Sequence, residues 1–261
     1  MRYEHIRFEQ AGAVATVTID RPDTLNALAP QTLAELTHAF DRIRDEGVAR
    51  AALLTGSGRA FCSGADLSAA QGEDGPVDRG AQLEAGFNPL LERMRDLPVP
   101  LVTAVNGAAA GGGCGYALAG DIVIAARSAY FLQPFARIGL VPDVGSTWLL
   151  PRLAGRARAT GMMMLGERVS AKQALDWGLI WQMVEDEALM PTARAMATRL
   201  AAGPTVAYGL MRRAITDGLS STLGESLERE RTDQRIAGFT DDHAEGVGAF
   251  LEKREPRFSG R

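Results

Sequence analysis

Leu101-Val102-Thr103-Ala104-Val105-Asn106-Gly107-Ala108-Ala109-Ala110-Gly111-Gly112-Gly113-Cys114-Gly115 carries an apolar, β-branched run into a glycine-rich turn. Earlier in the chain, Ala51-Ala52-Leu53-Leu54-Thr55 leads in the same way to Ala60-Phe61-Cys62-Ser63-Gly64-Ala65-Asp66-Leu67. A strand that ends in such a turn ahead of a helix leaves backbone N–H groups unpaired, and glycine lets a ligand come close to the backbone. Two such turns side by side can aim two amides at one oxygen, the geometry of an oxyanion hole. The pair points to thioester or acyl chemistry.

Outward from these turns the chain alternates strand and helix signals. Residues 3–9 and 13–19 alternate as two strands joined at Gln10-Ala11-Gly12. Pro30 opens a helix with Leu33, Leu36, Phe40 and Ile43 on one face. A polar stretch from Ser68 to Gly80 reads as a surface loop and a possible acyl-pocket lid. The next helix turns Leu83, Phe87, Leu90, Leu91 and Met94 inward, and Ile122-Val123-Ile124-Ala125-Ala126 supplies another strand. Recurring strand, crossover helix and strand predict an α/β fold with a mostly parallel sheet. Beyond about residue 145 the pattern is helical almost throughout, with a capping box at Ser170-Ala171-Lys172-Gln173 and a stop at Gly178. Residues 204–217, 221–238 and 241–252 read as amphipathic helices. The expected organisation is an α/β core over 1–200 and a helical part over 201–261 that packs on neighbouring subunits.

Bulk properties narrow the function. The chain has 261 residues, 46% hydrophobic and 23% charged, with a net charge of −4 and no basic cluster interleaved with aromatics, so nucleic acid is not an expected partner. No apolar run approaches the roughly 20 residues of a membrane span, so no membrane is expected and the cytoplasm is the expected location. Cys62 and Cys114 are too few for a disulfide framework and read as small apolar filler. His5, His38 and His243 fall in an early strand and on two exposed helix faces, which argues against a Ser-His-Asp or Cys-His arrangement. No metal-ligand spacing occurs.

Gly111-Gly112-Gly113 is neither a dinucleotide fingerprint nor a P-loop. By itself it could simply let a helix pack closely on a strand. The remaining catalytic candidate is a carboxylate: Pro142-Asp143-Val144-Gly145-Ser146 places Asp143 before a helix beginning near Ser146. The plain alternative for Asp143 is a capping or helix-dipole aspartate, and Asp66 and Asp121 take that alternative.

In these residues the sequence resembles the crotonase superfamily over essentially its whole length. The resemblance is carried by Asp20-Arg21-Pro22 with Leu25-Asn26-Ala27-Leu28, by Phe61-Cys62-Ser63-Gly64-Ala65-Asp66, by Val105-Asn106-Gly107 with Gly111-Gly112-Gly113-Cys114, and by Ala171-Lys172-Gln173-Ala174 with Trp177-Gly178-Leu179. It implies a fold of repeated ββα units with a helical C-terminal trimerisation part, assembled as a homotrimer or dimer of trimers. It also implies an acyl-CoA substrate, coenzyme A entering with the substrate and no separate cofactor. Matched residue by residue, the oxyanion amides are those of Ala65 and Gly112. The coenzyme A site is Leu25, Ala27, Ser63, Ala65, Asp66, Leu67, Gly111 and Gly112, with Lys253 and Phe250 reaching the nucleotide from a neighbouring subunit.

Two departures are informative. Hydratases of the superfamily hold water between two glutamates, at the positions occupied here by Gly115 and Phe135. Neither glutamate is present, whereas Asp143 matches the lone acidic residue of isomerase branches. Ile138 to Asp143, Thr147 to Arg152, Gly155 to Arg158 and Trp177 to Gln182 resemble the branch that isomerises the ring-1,2-epoxide of phenylacetyl-CoA to the seven-membered oxepin. General Δ3,Δ2-enoyl-CoA isomerases are the alternative, followed by a CoA-thioester hydrolase using Asp143; a non-catalytic RNA-binding member is the reading from a different class. The expected mechanism has the amides stabilising enolate character while Asp143 carries a proton from C2 to C4.

Overall fold

The protein is described by a computed structural model over residues 2–66 and 78–261. The chain opens with the hairpin β1 (Ile6–Ala11) and β2 (Val14–Ile19), then α1 (Pro30–Glu46), β3 (Ala51–Gly56) and β4 (Ala60–Cys62). Helical residues α2 (Arg79–Gln82), a π turn at Leu83–Phe87 and α3 (Asn88–Arg95) follow without a break. Next come β5 (Leu101–Val105), β6 (Ala108–Ala110), α4 (Gly112–Leu118), β7 (Ile122–Ala126) and β8 (Tyr130–Leu132). The remainder holds α5 (Ser146–Ala154), α6 (Arg156–Leu165), β9 (Val169–Ser170), α7 (Ala171–Trp177), β10 (Gln182–Val184), α8 (Leu189–Ala201), α9 (Thr205–Gly218), α10 (Leu223–Gly238) and α11 (Asp241–Glu252).

Two sheets share these strands. One has the order β1-β2-β3-β5-β7-β10, antiparallel between β1 and β2 and parallel thereafter. The other has the order β4-β6-β8-β9. Three strands of the first sheet, β3, β5 and β7, are each followed by a short strand of the second, so β3-β4, β5-β6 and β7-β8 repeat one motif and the fold is of the crotonase type. This corrects the expectation that each long strand runs straight into its glycine turn. Gly107 makes the change of direction possible: a Cβ there would lie 2.1 Å from the Arg59 carbonyl oxygen. Beyond residue 145 the chain is helical almost throughout, as expected, and the two short strands β9 and β10 complete the two sheets.

Why the first sheet forms is plain from its residues. Every residue of β3 and β5 is buried, the pattern of parallel strands covered on both faces. Leu33, Leu36, Phe40 and Ile43 of α1 are all buried, as their spacing predicts. Helix α8 packs on β3, β5 and β7 and buries Ala193, Ala197 and Ala201 along one stripe. The capping box at Ser170 is formed, and Gly178 ends α7 at φ 80°.

In contrast, α10 buries none of its residues. Helix α9 is held to the core by Arg212, which is buried, pairs with Asp121 at 2.6 Å and donates to the carbonyls of Met94 and Leu97. Asp121 also accepts the Leu101 N–H. Its role is structural but is not that of a cap. The C-terminal tail is anchored likewise, with Ser259 and Gly260 N–H groups donating to buried Asp242 and Arg50 donating to the Phe258 carbonyl.

Candidate active site

The segments that the sequence nominates come together in space. The Ser63 N–H donates to the Leu25 carbonyl, the Leu28 N–H to Gly64, and the Asp66 N–H to Leu28, so Leu25–Leu28 and Ser63–Asp66 run side by side like a short parallel ladder. Arg21 clamps them by donating to the Ala27 carbonyl and to Asp66 at 3.0 Å. Asn26, fully buried, accepts the Arg21 N–H and donates to the carbonyls of Ser57 and Ala60. Leu25 and Asn26 both take left-handed backbone, at φ 54° and 59°, a conformation more tolerable for asparagine than for leucine. Those hydrogen bonds are what hold it.

The two glycine turns abut. A Cβ at Gly64 would lie 3.5 Å from the Gly112 nitrogen and 3.6 Å from the Gly111 Cα. Gly111 itself donates to the Leu132 carbonyl. Among the described residues, neither the Ala65 N–H nor the Gly112 N–H has a hydrogen-bond acceptor, which leaves both donors available to a ligand.

Asp143 reaches the same place from the other side. A Cβ at Gly112 would sit 3.4 Å from Asp143 Oδ1, 2.9 Å from Val144 Cγ2 and 3.8 Å from Phe87 Cδ1. Asp143 Oδ1 is buried and has no hydrogen-bond partner among the described residues. Burial pushes its pKa up to about 6, since the charged form is poorly solvated there. Its side chain does not cap α5; only its carbonyl accepts the Ser146 N–H. The capping alternative is therefore excluded. A half-buried carboxylate with one oxygen unpartnered among the described residues and a pKa raised to about 6 is what a general base needs.

The positions at which the resemblance places hydratase glutamates are filled by other groups. Phe135 is buried with its ring edge 3.6 Å from a Cβ position on Gly111. A Cβ on Gly115 would lie 2.3 Å from the Val144 carbonyl oxygen. Among the described residues no second carboxylate stands opposite Asp143 there. A cleft of about 350 Å3 opens beside Ala65 and Asp66, walled by Leu33 and Thr37 of α1 and by Gly86, Phe87 and Arg93. Phe87 links this cleft to Gly112.

Other nominated residues fare differently. Leu67 and the loop reading over 68–77 lie outside the described residues. Lys253 is exposed at the end of α11, at φ 55°, with no hydrogen bond or ion pair to the Asp143 cluster; within one chain it does not join the site. Both cysteines are buried and their thiols are pushed up to about 12, in keeping with filler. His38 is half-buried rather than exposed, and it shares a hydrogen bond with Tyr3. Among the described residues no His, Cys, Asp or Glu cluster could hold a metal, and no helix is long and apolar enough to cross a membrane.

Arg21, Asn26, Asn106 and Val144 escaped the sequence reading as site residues. Asn106 donates to the carbonyls of Gly58 and Ala60 and so braces the turn before β4. A usable signal was an asparagine closing an apolar strand at Val105-Asn106-Gly107.

Comparison with known proteins agrees with this architecture. Residues 9–261 match the family model described as Enoyl-CoA hydratase/isomerase. The 1,2-epoxyphenylacetyl-CoA isomerase of Escherichia coli K12 is 48% identical over 250 residues, covering 95% of both chains. A Rhodobacter capsulatus protein named as a probable enoyl-CoA hydratase is 47% identical over 261 residues, the full length of both. The solved structure of an enoyl-CoA hydratase from Bacillus anthracis superposes with a TM-score of 0.93 at 32% identity, covering 99% of this chain and 100% of that one. With its repeated ββα units, paired glycine turns and full-length relatives, the chain belongs to the enoyl-CoA hydratase/isomerase, or crotonase, family.

Proposed function

We propose that this protein, an enzyme of CoA thioesters, is an acyl-CoA isomerase that uses one aspartate and two backbone amides. The carrying observation is Asp143, a half-buried carboxylate beside Gly112 whose buried Oδ1 has no hydrogen-bond partner and which no second carboxylate faces among the described residues. The thioester oxygen accepts from the Ala65 and Gly112 N–H groups, and charge developing there is stabilised by donors already in place. Asp143 takes the proton from C2 and returns it at C4 on the same face. Hydration needs a held and activated water, and the space for its second carboxylate is taken by Val144 and Phe135.

The substrate favoured is 2-(1,2-epoxy-1,2-dihydrophenyl)acetyl-CoA, converted to the oxepin, with Δ3,Δ2-enoyl-CoA isomerisation as a second activity. What supports it is the E. coli relative of that name and the apolar cleft ending at Phe87. A general Δ3,Δ2-enoyl-CoA isomerase uses the same three groups. Coenzyme A is placed along Leu25–Leu28 and Ser63–Asp66. Exposed apolar residues of the C-terminal helices, Ile215, Leu223, Phe239 and Phe250 among them, support a homotrimer or dimer of trimers, in which Lys253 of one protomer would meet the nucleotide on another.

Mass spectrometry of the epoxide thioester after incubation tests the reading. Isomerisation conserves mass, hydration adds one water, and hydrolysis releases free thiol. A product of unchanged mass and altered retention is expected; a water adduct or free coenzyme A would overturn it.

A further inference from the structure

Val144 is held where a valine is out of place. Its φ is 46°, in the left-handed region, and a β-branched residue there is a genuine outlier. Gly145 follows at φ 68°, so a glycine at 144 would meet the same turn without strain. The side chain is 1% exposed. It lies on the one face of α4 that carries Gly112 and Gly115, three residues apart and so neighbours on a helix. Its Cγ2 is 2.9 Å from a Cβ position on Gly112, and its Cγ1 and carbonyl oxygen are 3.0 and 2.3 Å from one on Gly115. The strained turn thus seats an apolar cap at the same glycine that borders Asp143 Oδ1.

Resting on the isomerase reading above, we infer that Val144 is a positioning residue that keeps water off the Asp143 carboxylate, so that the proton removed from the substrate goes back to the same molecule. Without the two γ-methyl groups, a water would find room beside Asp143 Oδ1, a buried oxygen with no hydrogen-bond partner among the described residues. A proton on Asp143 would then exchange with that water before its return. The bland alternative, that Val144 merely fills core space, predicts a change in stability and none in the fate of the proton.

The test uses trans-3-enoyl-CoA dideuterated at C2, turned over in ordinary water to low conversion. In each turnover a C2–D bond breaks, the deuteron moves to Asp143, the double bond shifts from C3=C4 to C2=C3, and a C4–D or C4–H bond forms. Mass spectrometry of the product then counts the label kept. Wild type is expected to keep mostly both deuterium atoms, and Val144→Ala and Val144→Gly to lower the doubly labelled fraction by roughly fivefold or more. The fraction is measured per turnover, so a poorly folding variant does not distort it, and Val144→Ala removes only two methyl groups. Retention equal to wild type in both variants overturns the inference. So does complete washout in wild type, or isomerisation lost outright in both variants with native circular dichroism. Wild type that forms no conjugated product at all removes the isomerase reading itself.

Discussion

Substituting Gly115 by alanine sets two known effects against each other, and the structure decides between them. In a helix interior, glycine to alanine gains about 1 kcal/mol through backbone entropy and propensity. Here the new Cβ would lie 2.3 Å from the Val144 carbonyl oxygen, 2.9 Å from its Cβ and 3.0 Å from its Cγ1. The nearest of these atoms is backbone, so no rotamer change relieves the contact and the turn before α5 must shift. Overpacking of this kind costs about 1–3 kcal/mol, and a backbone clash falls at the upper end. The net expectation is a loss of about 1–2 kcal/mol, or a Tm lower by about 2–8 °C for a chain of this size. Circular dichroism melts of wild type and Gly115→Ala read it directly. Gly115→Glu introduces the carboxylate of the hydratases at the same point and is expected to yield no hydration of trans-2-enoyl-CoA, since its stem has nowhere to go. A Gly115→Ala protein as stable as wild type, or a Gly115→Glu protein that hydrates, would refute the interlock of α4 with Val144.

Further expectations follow from the same contacts. Asp143 must be ionised to accept a proton, so kcat/KM for isomerisation should rise with pH through about 6 and level off above it; a profile flat from pH 5 to 8 would contradict the assignment. Because its folded pKa lies above the unfolded 3.8, ionised Asp143 destabilises the fold above pH 6, and that cost vanishes as pH falls through 6 toward 3.8. Asp143→Asn should therefore be the more stable protein at pH 7.5, by at most about 3 kcal/mol, with the gap closing by pH 4 in urea titrations. Arg212→Ala removes the cation paired with Asp121 and the donor to two carbonyls and should cost about 3–5 kcal/mol, seen as a lower denaturation midpoint. Cys62 and Cys114 should resist a thiol reagent in the native enzyme and react only in denaturant; inactivation by one equivalent would give a thiol a role not assigned to it here.

Much of the fold was legible because its long elements carry strong periodicity. Leu33, Leu36, Phe40 and Ile43 announce α1, and the apolar runs at 51–55 and 101–105 announce buried parallel strands. The second sheet was not legible. Its strands are two or three residues long, too short for a period of two to show, and Ala108-Ala109-Ala110 has no β preference at all. Those strands are imposed by pairing, as in the ladder of Ala108 to Tyr130 and Ala110 to Leu132.

At the candidate site, the residues the sequence nominates are types that announce themselves: glycines before a helix and one acid between a proline and a turn. The clamps were not. Arg21 and Asn26 act on partners far along the chain, at Asp66 and at Ala60, and such pairings leave no local pattern. Val144 was invisible for a different reason, because nothing in a valine's neighbours reveals that its backbone will be left-handed.

The most direct test of the central claim is the growth of conjugated enoyl-thioester absorbance from trans-3-enoyl-CoA with wild type and with Asp143→Asn. The account predicts steady formation of the conjugated product by wild type and its loss by a factor of about 100 or more in the variant, since the proposed proton carrier is gone. An Asp143→Asn enzyme that isomerises at the wild-type rate, or a wild type that does not isomerise, would contradict it.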